Sequence, residues 1–294
     1  MGIIAFRKTV FDNNVYFEIS RLMYAVKINE NGSAVVMMEG MVTSAPDSVP
    51  FNSIEIMIPH EIEALEDKTE TFLDKEIKEN HYRSFYDIID KEKHIVNLSG
   101  ITVKIVPITL KYDNKVHEYN RILLNFRTPF KPSETKAFRI LYQVPDLATI
   151  SQSKMYGWKI LNIDMGFYDK SMVEHANTRI KGIMEDKSKF ASCSRVYIWI
   201  VIPENYEIME VTPPIQREQK YDEEFLSKGK KSNKKNIALE WEYKSISWDF
   251  KNRTTLRIKK DFLGVIGLLG LIGFVLSLIV FIIDVLVPII NWLL

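Results

Sequence analysis

The stretch RILLNFRTPFKPSETKAFRILYQV, residues 121–144, decides the fold class. Ile122, Leu124 and Phe126 fall on one face of an extended segment. Phe138, Ile140, Tyr142 and Val144 do the same on the way back, because side chains alternate with a period of two along a strand. Pro129, Phe130, Lys131, Pro132, Ser133 and Glu134 lie between them and read as a turn. The stretch therefore reads as a hairpin, Arg121–Val144, of an antiparallel sandwich.

The same pattern extends in both directions. Val15–Val42 is a second hairpin: Tyr16–Ile19 and Met23–Ile28 carry strand formers, Asn31-Gly32 is a strong tight-turn signal, and Ala34–Met38 returns apolar. Ile54–Ile58 and Ile101–Val106 alternate. Downstream, Trp158–Asp164 reads as a strand. Arg195–Ile202 (RVYIWIVI) is apolar on both faces, which is expected of a central strand. Pro213-Pro214 ends the strand after it. Ile237–Tyr243 alternates, as do Ile246, Trp248 and Phe250.

Three segments depart from this pattern. Between Pro59 and Lys93, Ile62, Leu65, Thr69, Phe72, Leu73 and Ile77 recur at helical spacing, with Glu61, Glu63, Glu66, Asp67, Lys75 and Lys78 on the other side. That predicts one or two accessory helices, an insert over 60–92 that covers one end of a sandwich or binds a partner. Met172, Val173, Ala176, Ile180, Ile183 and Met184 read as another helix. Gln216–Asn236 is a charged loop whose Lys228, Lys230, Lys231, Lys234 and Lys235 are solvated or meet anionic lipid head groups. The expected fold is mainly β, with two antiparallel sandwich-like domains over 1–150 and 151–260 and a membrane segment over 261–294.

The tail carries the functional reading. Phe262–Ile283 (FLGVIGLLGLIGFVLSLIVFII) contains no charged residue and one hydroxyl, Ser277. About 20 apolar residues cross a hydrocarbon core of roughly 30 Å, so a transmembrane helix is predicted. Lys251, Arg253, Arg257, Lys259 and Lys260 precede it, and no Lys or Arg follows it, which places the preceding domains in the cytoplasm. Met1–Val10 is too short in apolar residues for a secretory signal, and Phe6 stands where myristoylation of Gly2 requires Ser or Thr. A single cysteine, Cys193, suits a reducing compartment.

Within the tail, Gly270, Gly273, Ser277 and Asp284 fall within an arc of roughly 60° on an ideal helix. Small residues let transmembrane helices approach closely, and an intramembrane carboxylate points at protein or water. The expectation is association of several copies along this face, with Asp284 at a polar centre. After Asp284, Val285–Leu294 continues apolar, as a tilted extension or an interfacial helix with Trp292 at the head groups.

Composition narrows the remaining choices. A net charge of +1 argues against the basic surface of a nucleic-acid binder. His60, His81, His94, His117 and His175 form no two-histidine zinc motif, and no cysteine pair exists. Gly229-Lys230-Lys231-Ser232 lacks the upstream glycine of a phosphate loop. Cys193 with His175 is the one nucleophile pairing to consider, and a small buried thiol is the commoner role. No catalytic residue, metal or cofactor is assigned.

Lysine, isoleucine and asparagine are plentiful, as in AT-rich bacterial coding sequences. The architecture, β-domains followed by a terminal span, resembles bacterial membrane-tethered proteins of stress or phage-defence systems. The resemblance lies in architecture and in no motif residue. The resulting expectation is a non-enzymatic, C-terminally anchored, homo-oligomeric protein. Its cytosolic domains bind a protein or small-molecule signal, and its span perturbs the bilayer. A scaffold with a passive anchor and a tethered enzyme are the alternatives.

Overall fold

The structure is a computed structural model. It describes residues 2–9, 14–29, 31–73, 86–98, 100–116, 119–152, 159–167, 191–203, 206–221, 236–244, 251–258 and 272–279. Met1–Ile258 forms one compact unit and Lys259–Leu294 a second.

The first unit is two facing sheets, and the chain crosses between them repeatedly. Strand β1 (Gly2–Lys8) enters the first sheet. The hairpin β2 (Phe17–Ile28) and β3 (Ala34–Ser44) belongs to the second. β4 (Phe51–Ile58) returns to the first, and β5 (Ala64–Asp67) is back in the second. A 3-10 turn, Thr69–Leu73, follows. β6 (Tyr86–Asp90), β7 (Ile95–Leu98) and β8 (Ile101–Ile105) extend the second sheet, whereas β9 (Ile108–Val116) and β10 (Tyr119–Phe130) extend the first. β11 (Thr135–Val144) is in the second sheet, and β12 (Thr149–Gln152) and β13 (Lys159–Phe167) are in the first. β14 (Arg195–Pro203), β16 (Arg217–Tyr221) and β17 (Asn236–Lys244) complete the second; β15 (Tyr206–Thr212) and β18 (Lys251–Ile258) complete the first.

Early and late strands interleave in both sheets. β1 runs parallel to β13, with Ile3 opposite Gly166, and antiparallel to β4. β2 runs parallel to β14, with Tyr24 opposite Ile198. The expected boundary near residue 150 lies inside the unit, where β12 pairs directly with β13.

The residues that decided the fold class do form two strands facing one core, but they are not a hairpin. β10 pairs with β4 and β9 in the first sheet, and β11 pairs with β3, β5 and β8 in the second. The turn between them is an arch that carries the chain from one sheet to the other. Alternation is the same in both cases, since it fixes which side chains face the core and not which strand lies alongside.

The arch is built from specific contacts. Ser133 takes φ 61°, and the Lys131 amide donates to Glu134 Oε2 at 2.8 Å. Beneath it, Phe130 stacks on Phe51 at 4.6 Å between centroids. The Lys136 ammonium is fully buried and donates to the carbonyl oxygens of Thr128 at 2.6 Å and Pro129 at 2.8 Å. Burial pushes its pKa down, and Glu134, 3.6 Å away, opposes the shift.

The core lies between the sheets. Ile4, Phe6, Ile56, Ile122 and Ile163 of the first sheet meet Tyr24, Met38, Ile140, Ile198 and Trp241 of the second. Within the second sheet the Phe138 ring lies over its register partner Gly40, where a Cβ would stand 2.4 Å from the ring. The β2–β3 turn is formed as the Asn31-Gly32 signal predicts. Gly32 takes φ 84°, and its position is further restricted by the Ala148 carbonyl, 2.8 Å from where a Cβ would lie.

A second apolar cluster lies on the outer side of the second sheet. It includes Met23, Ala25, Met37, Met41, Tyr197, Trp199 and Val201, together with Phe72, Val103 and Ile105. Two clusters explain why β14 is apolar on both faces: it is central, between β17 and β2, and buried on both sides.

Two readings are corrected. The helix expected from Ile62 onward is instead β5 and the 3-10 turn, in which Thr69 and Phe72 are the buried residues. β8 meets the edge of β11 at Lys136 and Ala137, and β5 supplies a backbone partner to Ile140–Gln143. Buried backbone groups demand partners, and that demand outweighs a weak helical period containing β-branched Thr69 and Thr71. Residues 74–85 of that expected insert lie outside the described residues. The charged loop expected from Gln216 begins as a strand, β16, paired with β17; 222–235 lie outside the described residues, as does the helix expected at 172–184.

Candidate functional site

The tail is described over 272–279, a helix in which all eight residues are exposed. Phe274 is 66% exposed and Leu276 58%. Gly273 and Ser277 stand one turn apart, on one face. A Cβ added at Gly273 would meet no atom within 4 Å. Among the described residues, no helix is long and apolar enough to cross a membrane. Gly270 and Asp284 lie outside the described residues, so the four-residue face is seen only at Gly273 and Ser277.

Of the basic flank, Lys251, Arg253 and Arg257 lie on β18, separated by two and four residues. The neighbours of β18 are β13 and β15, so it is an interior strand of its sheet. Arg253 Nε donates to Asp164 Oδ1 at 2.9 Å, and Arg257 Nε to Glu207 Oε2 at 2.9 Å. Both guanidinium groups are thus paired with carboxylates of neighbouring strands. Lys259, Lys260, Lys228, Lys230, Lys231, Lys234 and Lys235 lie outside the described residues.

The sandwich holds polar groups that sequence reasoning missed. Register places Arg139 of β11 opposite Glu39 of β3, and both are buried. Arg139 Nε and Nη2 donate to Glu39 Oε2 at 3.1 and 2.8 Å, Nη1 donates to Thr71 Oγ1 at 2.7 Å, and the guanidinium lies 4.0 Å from the Phe72 ring centroid. Alternation places both residues on the outer face, where charges are normally solvated. The 3-10 turn covers the guanidinium through Thr71 and Phe72.

A second cluster joins β14, β16 and β17. The Trp199 indole N–H donates to Glu240 Oε1 at 2.8 Å, and Arg217 Nε stands 3.9 Å from Glu240 Oε2. Burial pushes the Glu240 carboxyl above its ordinary range, and the bond from Trp199 opposes that shift. A third runs across the first sheet, where Arg121 bridges Glu55 at 3.0 Å and Asp113 at 2.7 Å. The bond to Arg121 holds the Asp113 carboxyl below its usual range. In each cluster the carboxylate faces a cationic or N–H donor of the same chain, which is the arrangement of a structural pair.

Among the described residues, no three His, Cys, Asp or Glu side chains converge to hold a metal ion. Cys193 is buried beside Ile19, and His175 lies outside the described residues. His60 is half-buried; desolvation lowers its pKa, and Asp146 opposes that shift.

No protein-family model matches the chain, and no curated protein is similar to it. Among solved structures, the chain is similar to an M1 zinc metallopeptidase from Deinococcus radiodurans at 8% identity and a TM-score of 0.37. The match covers 81% of this chain and 42% of that one. A variant of the same peptidase bound to a Tyr-Ser-Ala substrate gives 9% identity and a TM-score of 0.36, with the same coverage. The chain thus spans less than half the length of these peptidases, and a likeness this distant carries no argument about activity.

Proposed function

We propose that the chain is a membrane-anchored, non-enzymatic binding protein. In this reading its C-terminal segment spans a bilayer as a helix, and its β-rich unit faces the cytoplasm. The β-rich unit receives a protein or small-molecule signal. The spans of several copies associate through Gly270, Gly273, Ser277 and Asp284 and perturb the membrane.

The observation that carries the reading is the exposure of 272–279. Six of its eight residues are large and apolar, and all six are exposed. They sit in a 22-residue run without a charge, Phe262–Ile283. An isolated helix this short is marginal in water, and its apolar surface needs a cover. Lipid supplies one along the whole run, since a helix there satisfies its own backbone. The absence of a Cβ at Gly273 leaves room for a second helix to approach.

Fractionation of cells expressing the full chain tests the anchor: it should pellet with membranes, resist carbonate and come out with detergent. Recovery in the soluble fraction without detergent overturns it. Dye release from vesicles carrying the purified protein tests the second half. Gly273→Leu and Asp284→Asn should each reduce release; a release that both variants leave unchanged reduces the span to a passive anchor.

A further inference from the structure

We infer that Glu61–Leu73 is a strap that opens from the second sheet as a unit, without unfolding of the sandwich, and that the Glu39–Arg139 pair is the pin that closes it. Three observations converge on this.

First, the strap is held by few apolar side chains. Between Glu61 and Leu73, Ile62 and Phe72 are the fully buried hydrophobic residues, with Leu65 and Leu73 half-buried beside them, Ile62 and Leu65 on the inter-sheet cluster and Phe72 and Leu73 on the outer one. Segments with little buried apolar surface occupy the low end of the local stability range.

Second, its C-terminal half is attached through one residue, whereas its N-terminal half is held by the Ile62 amide on the Tyr112 hydroxyl and the Glu63 amide on the Gln143 carbonyl, each at 3.0 Å. The Lys68 amide donates to the Arg139 carbonyl at 2.8 Å, and the Arg139 amide donates to Thr69 Oγ1 at 3.2 Å. The guanidinium then holds Thr71 and lies against Phe72, as described above. β5 adds a four-residue pairing next to this point, from Ala64–Gln143 to Asp67–Ile140. Loss of the guanidinium contacts therefore frees the Thr71 hydroxyl and the Phe72 ring together, beside backbone bonds made at the same residue.

Third, the pin is ionic where an apolar pair would fit the surrounding cluster. A buried ion pair is a poor source of stability, because desolvation cancels most of its attraction. It does give a sharp two-state contact: with the strap down, both charges are buried and satisfied; with the strap up, both are solvated. Opening lifts Phe72 from the cluster that contains Met37, Met41 and Ala137. The strap thus covers a methionine-lined part of the outer sheet face.

Hydrogen exchange followed by mass spectrometry on the full chain in detergent tests this. Peptides covering 61–73 should exchange well ahead of those covering 195–203. Glu39→Gln should accelerate exchange in 61–73 by about tenfold or more, as expected for loss of a charged hydrogen bond, while 195–203 stays unchanged. Thr71→Val, which removes the bond from Arg139 and the one to the Lys68 carbonyl and leaves the ion pair in place, should act in the same direction to a smaller degree. Exchange of 61–73 in step with 195–203 in the parent protein overturns the inference. So does equal acceleration of both segments in the two variants.

Discussion

β14 and the strap lie on the same sheet and are held in opposite ways. β14 buries seven consecutive residues, Val196–Ile202, flanked by a parallel partner and an antiparallel one. The strap buries Ile62, Thr69 and Phe72, and its 3-10 turn meets one guanidinium through Thr71 and Phe72. Burial that is spread along a strand has no single point of failure, so β14 comes apart only with the whole unit. Burial that is concentrated at one pin can be released locally. The comparison teaches that two elements of one sheet need not share one stability, and that a buried charge marks where they part.

The strongest challenge to this comparison is a pair of truncations. Ile200→Ala, in the centre of β14, should lower global stability by about 2–5 kcal/mol in chemical denaturation, the usual cost of a large-to-small core change. Phe72→Ala removes a larger side chain, for which about 3–5 kcal/mol is usual in a core. Here the global loss should be smaller than that of Ile200→Ala, because the strap detaches instead of leaving a cavity. Equal or greater global loss for Phe72→Ala would break the comparison.

Gly40→Ala sharpens it at intermediate size. The new Cβ would press on the Phe138 ring in the inter-sheet core, on the face of the sheet opposite the Glu39–Arg139 pair. A loss of about 1–3 kcal/mol, as for overpacking, should appear as a shifted denaturation midpoint. Exchange in 61–73 should follow the global change and no more.

The smallest expected effect is a pH dependence at β17. The Glu240 carboxyl is raised by burial, so the folded state holds its proton more tightly than the unfolded state. Its favourable contribution is complete below the ordinary carboxylate pKa and is lost as pH rises through the raised value. Glu240→Gln should therefore flatten the fall in stability over that range, as thermal melts across an acidic-to-neutral series would show. A parallel pH profile for the two proteins would remove Glu240 from the account.

Much of the fold was legible before any coordinates. Ile54–Ile58 and Ile237–Tyr243 alternate and are strands, Asn31-Gly32 makes its turn, and RVYIWIVI is a central strand. In each case the signal is local: a period of two, a residue that tolerates positive φ, or a run too apolar to face water on either side. The candidate site was less legible. Gly273 and Ser277 are seen on one exposed helical face, Arg253 and Arg257 are occupied by carboxylates, and the remaining residues of the expected site lie outside the described residues or, for Lys251, show only backbone. The Glu39–Arg139 pin had no sequence signal, since an outward-facing Glu and an outward-facing Arg on two strands look like ordinary solvated charges.

The sequence by itself determined that most of this chain is strand, which faces of those strands are apolar, and that Phe262–Ile283 of the tail is an uncharged apolar run. Only the tertiary structure decided that 121–144 is an arch and not a hairpin, that β1 and β2 pair with β13 and β14 from the other half of the chain, and that 64–73 is strand and 3-10 turn. The reason is physical. Alternation and turn chemistry are written within a few residues, whereas the choice of neighbour depends on which distant edge still has unpaired backbone groups and which distant side chains fill the space between the sheets.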